Sequence, residues 1–144
     1  MQKSVDVNDY MVKRPVLVTP DTELFEAIHR ILRYRISGVA VVDSNKRPVG
    51  MLSELDCLRA ILADTYLGEN VGSMRVADHM TVDVECVPAH SDIIGVAQSM
   101  LDHKRRRRPV VNDENKVVGQ ITCRAILKCV KDFGAPRRWF EGIS

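Results

Sequence analysis

The chain has 144 residues, of which 45% are hydrophobic and 28% charged, with a formal net charge of +2. That is enough for one compact domain with a core, and no apolar run approaches the roughly 18 residues needed to cross a bilayer. The opening Met1-Gln2-Lys3-Ser4-Val5-Asp6 has no signal-like apolar segment and a pI near 8.4 falls short of a dedicated nucleic-acid domain, so a soluble, cytoplasmic protein is expected.

A short lead-in, Val7 to Val12, precedes an extended stretch at Val16-Leu17-Val18. Thr19-Pro20-Asp21-Thr22 then turns the chain into a helix, with Thr22 as its expected N-cap. The apolar positions Leu24, Ala27, Ile28, Ile31 and Leu32 keep the spacing of a buried helical face. A strand from Val39 to Val42, the turn Asp43-Ser44-Asn45-Lys46 and a strand from Val49 to Leu52 read as a hairpin. A closing helix carries Leu55, Leu58, Ile61 and Leu62, and Leu67 to Met74, with Gly68 and Gly72, suits a linker.

The same order then returns. Val7-Asn8-Asp9-Tyr10-Met11 recurs as Val76-Ala77-Asp78-His79-Met80, an offset of 80 − 11 = 69 positions. Without a gap, that offset pairs Val18 with Val87, Val41-Val42 with Val110-Val111, Val49-Gly50 with Val118-Gly119 and Ser53 with Thr122. Such a period is too long for a solenoid array and suits two copies of one supersecondary unit. In the second copy the extended stretch runs from Val82 to Val87 and Ser91 is the expected cap. A helix with Ile93, Val96, Ala97, Met100 and Leu101 follows, then strands Pro109 to Val111 and Val117 to Ile121. The last helix carries Ile126, Leu127 and Val130.

The expected division is residues 1–66 for repeat one with its lead-in, 67–75 for a linker, 76–133 for repeat two and 134–144 for a tail. The expected fold class is α/β, of the α+β kind. Two β-α-β-β-α repeats pack by their sheets about a pseudo-twofold axis, close one core and leave two equivalent clefts.

Chemistry is most legible in Gly50-Met51-Leu52-Ser53-Glu54-Leu55-Asp56, where a strand ends in a hydroxyl and a helix starts three residues before a carboxylate. Ser53 at that junction can cap the helix, whose free N–H groups favour a phosphate, and Asp56 can accept hydrogen bonds from ribose hydroxyls. The same spacing also describes an ordinary cap with a dipole-matching acid. Its recurrence in register is what gives it weight.

From about Val7 to Val130 the chain resembles the cystathionine β-synthase (CBS) domains, which occur as tandem pairs called Bateman modules. The residues that carry the resemblance are Val39-Ala40-Val41-Val42-Asp43, a turn, and then glycine, a hydrophobic pair, serine and aspartate over Gly50 to Asp56, repeated in part by Gly119-Gln120-Ile121-Thr122-Cys123-Arg124-Ala125. The resemblance implies regulatory binding of AMP, ADP or ATP, with NAD or S-adenosylmethionine in some members, and no required cofactor. It implies that Ser53 contacts phosphate and Asp56 ribose, that backbone at Val39 and Ala40 meets the adenine edge, and that Val16 or Val18 sandwiches the base. Cations before the strand of repeat two, Arg106 and Arg107, together with Arg124, would reach the phosphates of that same nucleotide. Repeat one offers only Ser37 and Gly38 there. The second cleft, with Pro109 and Thr122, is the weaker one because Ala125 stands where the aspartate should be.

Other classes fit less well. Lys104-Arg105-Arg106-Arg107-Arg108 with Arg137-Arg138-Trp139-Phe140 would suit a single-stranded nucleic acid, but an aromatic content of 5% leaves little for stacking. A ligand-free interaction scaffold is the main alternative. His29, His79, His90 and His103 lack metal-site spacing, Cys57 lacks a partner base, and the carboxylate pair of Glu54 and Asp56 implies no ion, so no enzyme is expected. The four cysteines have no Cys-x-x-Cys spacing and read as reduced packing residues. A homodimer joined through helices, with an unidentified effector protein as partner, is the assembly that the resemblance implies, with Trp139 and Phe140 of the tail either covering the module or joining the contact.

Overall fold

Two copies of one local program make the fold. The computed structural model describes residues 4–67 and 73–134. The first repeat runs β1 (Leu17–Val18), α1 (Leu24–Arg33), β2 (Gly38–Val42), β3 (Pro48–Ser53) and α2 (Glu54–Leu67). The second runs β4 (Val87–Pro88), α3 (Ile93–His103), β5 (Arg107–Val111), β6 (Val117–Thr122) and α4 (Cys123–Gly134). Each repeat holds a three-stranded sheet, ordered β1-β2-β3 and β4-β5-β6, with a parallel pair followed by an antiparallel hairpin. The linker glycines Gly68 and Gly72, and the tail with Arg137, Arg138, Trp139 and Phe140, lie outside the described residues.

The hairpin turns follow from their side chains. Asp43 Oδ1 accepts from the N–H of Asn45 at 2.8 Å and of Arg47 at 2.9 Å, and Asn112 Oδ1 does the same for Glu114 and Lys116 at 3.0 Å. These side-chain turns hold the corner while Lys46 and Asn115 take the left-handed backbone that closes it.

Several local expectations are corrected. The helix N-caps are Glu23 and Asp92, not Thr22 and Ser91. Asp92 accepts from the Ile94 N–H at 2.7 Å, whereas Thr22 Oγ1 is taken by the Thr19 N–H and Ser91 Oγ donates to the Pro88 carbonyl. The extended stretch expected from Val82 becomes a strand only at Val87–Pro88. Leu32, Leu55, Leu58, Ile61, Leu62, Leu101, Leu127 and Val130 are exposed, so the helices have an outer apolar stripe as well as an inner one. Among the described residues the one expected core is three. Leu24, Ala27, Ile31, Val39, Val41 and Leu52 fill the first repeat, and Ile93, Val96, Met100, Val110, Ile121 and Cys129 fill the second. A small cluster of Val42, Val111 and Val117, flanked by Leu17 and Cys86, joins the two sheets.

The lead-ins cross over. Val7 is buried in the core of the second repeat and Val76 in that of the first. The Val7 N–H donates to the Ser91 carbonyl at 2.8 Å, and the Ile93 N–H to the Val5 carbonyl at 2.8 Å. Their equivalents repeat the pattern, Val76 to Thr22 at 2.9 Å and Leu24 to Met74 at 3.0 Å. Val12 pairs with Gln120, and Thr81 with Met51, adding a bridge to each hairpin. This crossing explains Gly50, on which a Cβ would stand 2.7 Å from Met80 Sδ and 3.0 Å from the Thr81 carbonyl. Gly119 lies in the same way beneath Met11 and Val12. The glycines provide room for the crossing backbone.

Asp6 and His90 tie one crossing at its edge, with His90 Nδ1 2.7 Å from Asp6 Oδ2. Hydrogen bonding to Asp6 raises the His90 pKa, and hydrogen bonding to His90 lowers that of Asp6. The contribution of His90 is therefore fully present below the ordinary imidazole value and is lost as pH rises through the raised one. That of Asp6 is lost as pH falls through its lowered value. His90→Asn keeps a side chain suited to the positive φ at this position and removes the charge. It is expected to destabilise more at about pH 5.5 than at about pH 9 in urea unfolding, and an equal loss at both would exclude the ion pair as the cause.

Candidate functional site

The strand β3 passes directly into α2, with Ser53 its last residue and Glu54 the first of the helix. Ser53 and Asp56 form a reciprocal cap. The Asp56 N–H donates to Ser53 Oγ at 3.1 Å, and the Ser53 N–H donates to Asp56 Oδ2 at 2.9 Å. Asp56 is buried, and its Oδ1 accepts from Arg59 Nη1 at 3.0 Å. The Arg59 side chain is 72% exposed, so water screens that ion pair. A carboxylate has about four lone-pair positions, which leaves Asp56 with acceptor capacity for a ligand. In the second repeat Thr122 Oγ1 still accepts from the Ala125 N–H at 3.1 Å, but Ala125 has no carboxylate to return.

Strand alternation divides the basic run. Arg108 is buried on the α3 side of β5, where Nη2 donates to the Ser99 carbonyl at 3.0 Å and lies 2.7 Å from Glu85 Oε2. That last contact is an ion pair without hydrogen-bond alignment, and His103 Nδ1 joins it 3.3 Å from the same oxygen. Arg108 is thus a structural cation. Arg107 points the other way, toward β2. Burial lowers its pKa, the charge of Glu54 opposes that, and the neighbouring Arg106 adds to it. Among the described residues no carboxylate lies within ion-pair distance of Lys104, Arg105, Arg106 or Arg107.

These groups meet around one cavity of about 670 Å³. Ser37, Met51, Ser53, Glu54, Asp56 and Leu58 line it from the first repeat, and Thr81, Asp83, Glu85, Lys104, Arg105, Arg106, Arg107 and Pro109 from the second. The volume is in the range of small-ligand sites. One end is cationic, and Met51, Leu58 and Pro109 give an apolar wall.

Of the residues expected from sequence, Ser53, Asp56, Arg106 and Arg107 share this cavity. Pro109, expected in the weaker cleft, lines this one instead, because it faces the same side of β5 as Arg107. Val18 and Val39 are turned into the first core, and Ala40 is fully buried within β2, so none of their side chains reaches the wall. Val16 lines a separate groove of about 570 Å³ with Arg14, Arg30, Arg33 and Tyr34 beside α1. Arg124 is exposed and outside both walls. Thr122 pairs with Arg107 in the β5–β6 ladder. Sequence reasoning missed Asp83, Glu85 and Met51. The period of two along β5 separates Arg107, on the cavity, from Arg108, in the interior.

Comparison with known proteins agrees with this architecture. The CBS domain family profile matches residues 7–63 and 76–132, and the chain belongs to that family. An inosine-5'-monophosphate dehydrogenase from Methanocaldococcus jannaschii is 34% identical over 84% of this chain, which spans only 23% of that relative's length. CBSX2 of Arabidopsis thaliana, solved in complex with AMP, is 26% identical, with a TM-score of 0.79 over 90% of this chain and 98% of that one. The cytosolic domain of the Mg2+ channel MgtE, solved with ATP, is 27% identical, with a TM-score of 0.73 over 88% of this chain and 49% of that one. Among the described residues no helix is long and apolar enough to cross a membrane.

The cap geometry carries a stability expectation separate from any ligand. Ser53→Ala is expected to lower unfolding stability by about 1 kcal/mol, read as a shifted urea midpoint at unchanged slope. An unchanged midpoint would show that the cap contributes nothing to α2.

Proposed function

We propose that this CBS pair is a regulatory module that takes an adenine nucleotide, AMP, ADP or ATP, in one principal cleft per chain and passes its occupancy to a partner protein. The observation that carries the reading is the meeting of Ser53 and Asp56 from one repeat with Arg106 and Arg107 from the other around a single cavity. Ribose hydroxyls would donate to the free lone pairs of Asp56. Phosphate would sit between Ser53 and the arginines, and the base would lie on Met51, Leu58 and Pro109. The complexes of CBSX2 with AMP and of MgtE with ATP support this class of ligand. The cationic end favours phosphates over the sulfonium of S-adenosylmethionine. Occupancy would neutralise charge between the repeats and shift their relative populations, which is the signal a partner reads.

Calorimetry with AMP, ADP, ATP, NAD and S-adenosylmethionine tests this. Binding of at least one of the phosphorylated ligands is expected, weakened about tenfold or more by Asp56→Asn, since hydrogen bonds to a charged group contribute roughly 1.5–3 kcal/mol. No binding by wild type at millimolar concentration would leave the scaffold reading in its place.

The same reading includes a homodimer. Phe25, Leu32, Leu58 and Ile61 are exposed on the first repeat, and their equivalents Ile94, Leu101, Leu127 and Val130 on the second. An apolar exterior repeated by the pseudo-twofold axis suits a second copy with the same symmetry. Sedimentation equilibrium is expected to give a dimer, and Leu58→Glu with Leu127→Glu a folded monomer. A monomeric wild type would remove the dimer.

A further inference from the structure

Gly38 opens β2 and Arg107 opens β5, so the two hold equivalent places in the repeats. They also meet across the axis. A Cβ on Gly38 would stand 3.0 Å from Arg107 Nη1, 2.9 Å from the Leu52 carbonyl and 3.2 Å from Ser53 Cα. Gly38 pairs with Ser53 in a regular antiparallel ladder, so the glycine supplies room rather than an unusual backbone angle. The Arg107 guanidinium therefore lies beside the volume that a side chain at position 38 would fill. Ser53, the N-cap of α2, lies at the same place.

We infer that Gly38 is a positioning residue for the anion end of the cleft: its missing side chain is what seats Arg107 Nη1 beside Ser53, where one phosphate can bridge the two. This rests on the nucleotide reading above. The axis has space for one side chain at this point, and the second repeat provides it only because the first does not. A larger residue at position 38 displaces the guanidinium from its place beside Ser53. The nucleoside part of the ligand, on Asp56 and the apolar wall, is not touched by the change.

The test is a double-mutant cycle of Gly38→Ala and Arg107→Ala, with AMP and adenosine as calorimetric probes. Gly38→Ala is expected to weaken AMP about tenfold, the effect of losing one charge-assisted hydrogen bond, and to leave adenosine within about twofold. In the Arg107→Ala background it is expected to change neither. An equal loss of AMP affinity in both backgrounds, or an equal loss for adenosine and AMP, would show that the Cβ acts through Leu52 and Ser53 and would overturn the inference. Thermal unfolding gives a second arm that holds even if Gly38→Ala folds poorly. The double variant is expected to melt above Gly38→Ala alone, and a double variant that melts no higher also overturns it. Wild type that binds none of AMP, ADP and ATP removes the nucleotide reading and this inference with it; where only ADP or ATP binds, that nucleotide replaces AMP as the probe. AMP binding left intact by Gly38→Ala removes this inference alone.

Discussion

The exchange of lead-in segments is the constraint on which the rest depends. Val7 completes the core of the second repeat and Val76 that of the first, each fixed by backbone hydrogen bonds to the helix start of the other repeat. Neither three-stranded sheet is large enough to bury its own helices against water on both sides. Crossing the lead-ins closes both cores and fixes the sheets face to face, with equivalent residues Val42 and Val111 at one end of the axis. Gly38 and Arg107 stand at the other end. The cleft is a product of that registration.

Symmetry in the backbone permits asymmetry in the chemistry. The cap at Ser53 has a returning carboxylate, and the one at Thr122 does not. Position 107 brings a guanidinium to the axis, and position 38 brings nothing. Ser53 and Asp56 of one repeat meet Arg106 and Arg107 of the other around a single cavity, so two corners with equivalent backbones differ in the polar groups they carry. Asp56 does two jobs there. It holds the start of α2 and lines the cavity, at the end of the helix whose outer face carries Leu58 and Ile61.

Much of this was legible in the residues. The fixed offset of the two copies gave the repeat, the hairpins and the Ser53-to-Asp56 corner, because local periodicity and capping chemistry set all three. What was not legible depends on contacts between distant segments. Leu55, Leu58 and Leu127 satisfy the helical spacing of a core and face outward, since spacing reports that a stripe exists and not which stripe is buried. Val18 was one of the residues expected to sandwich the base, but its side chain packs into the first core. Gly50 and Gly119 read as parts of a ligand motif, and their observed role is to clear the path of a strand from the other repeat.

The crossing also orders events while the chain is being made. Asn8 and His90 bond although 82 positions separate them, so the first lead-in leaves the ribosome long before its partner exists. It must remain unpaired through synthesis of the whole first repeat, whose own core stays open until Val76 arrives. Contacts of such separation slow folding, because the loop between the partners has to close before they form.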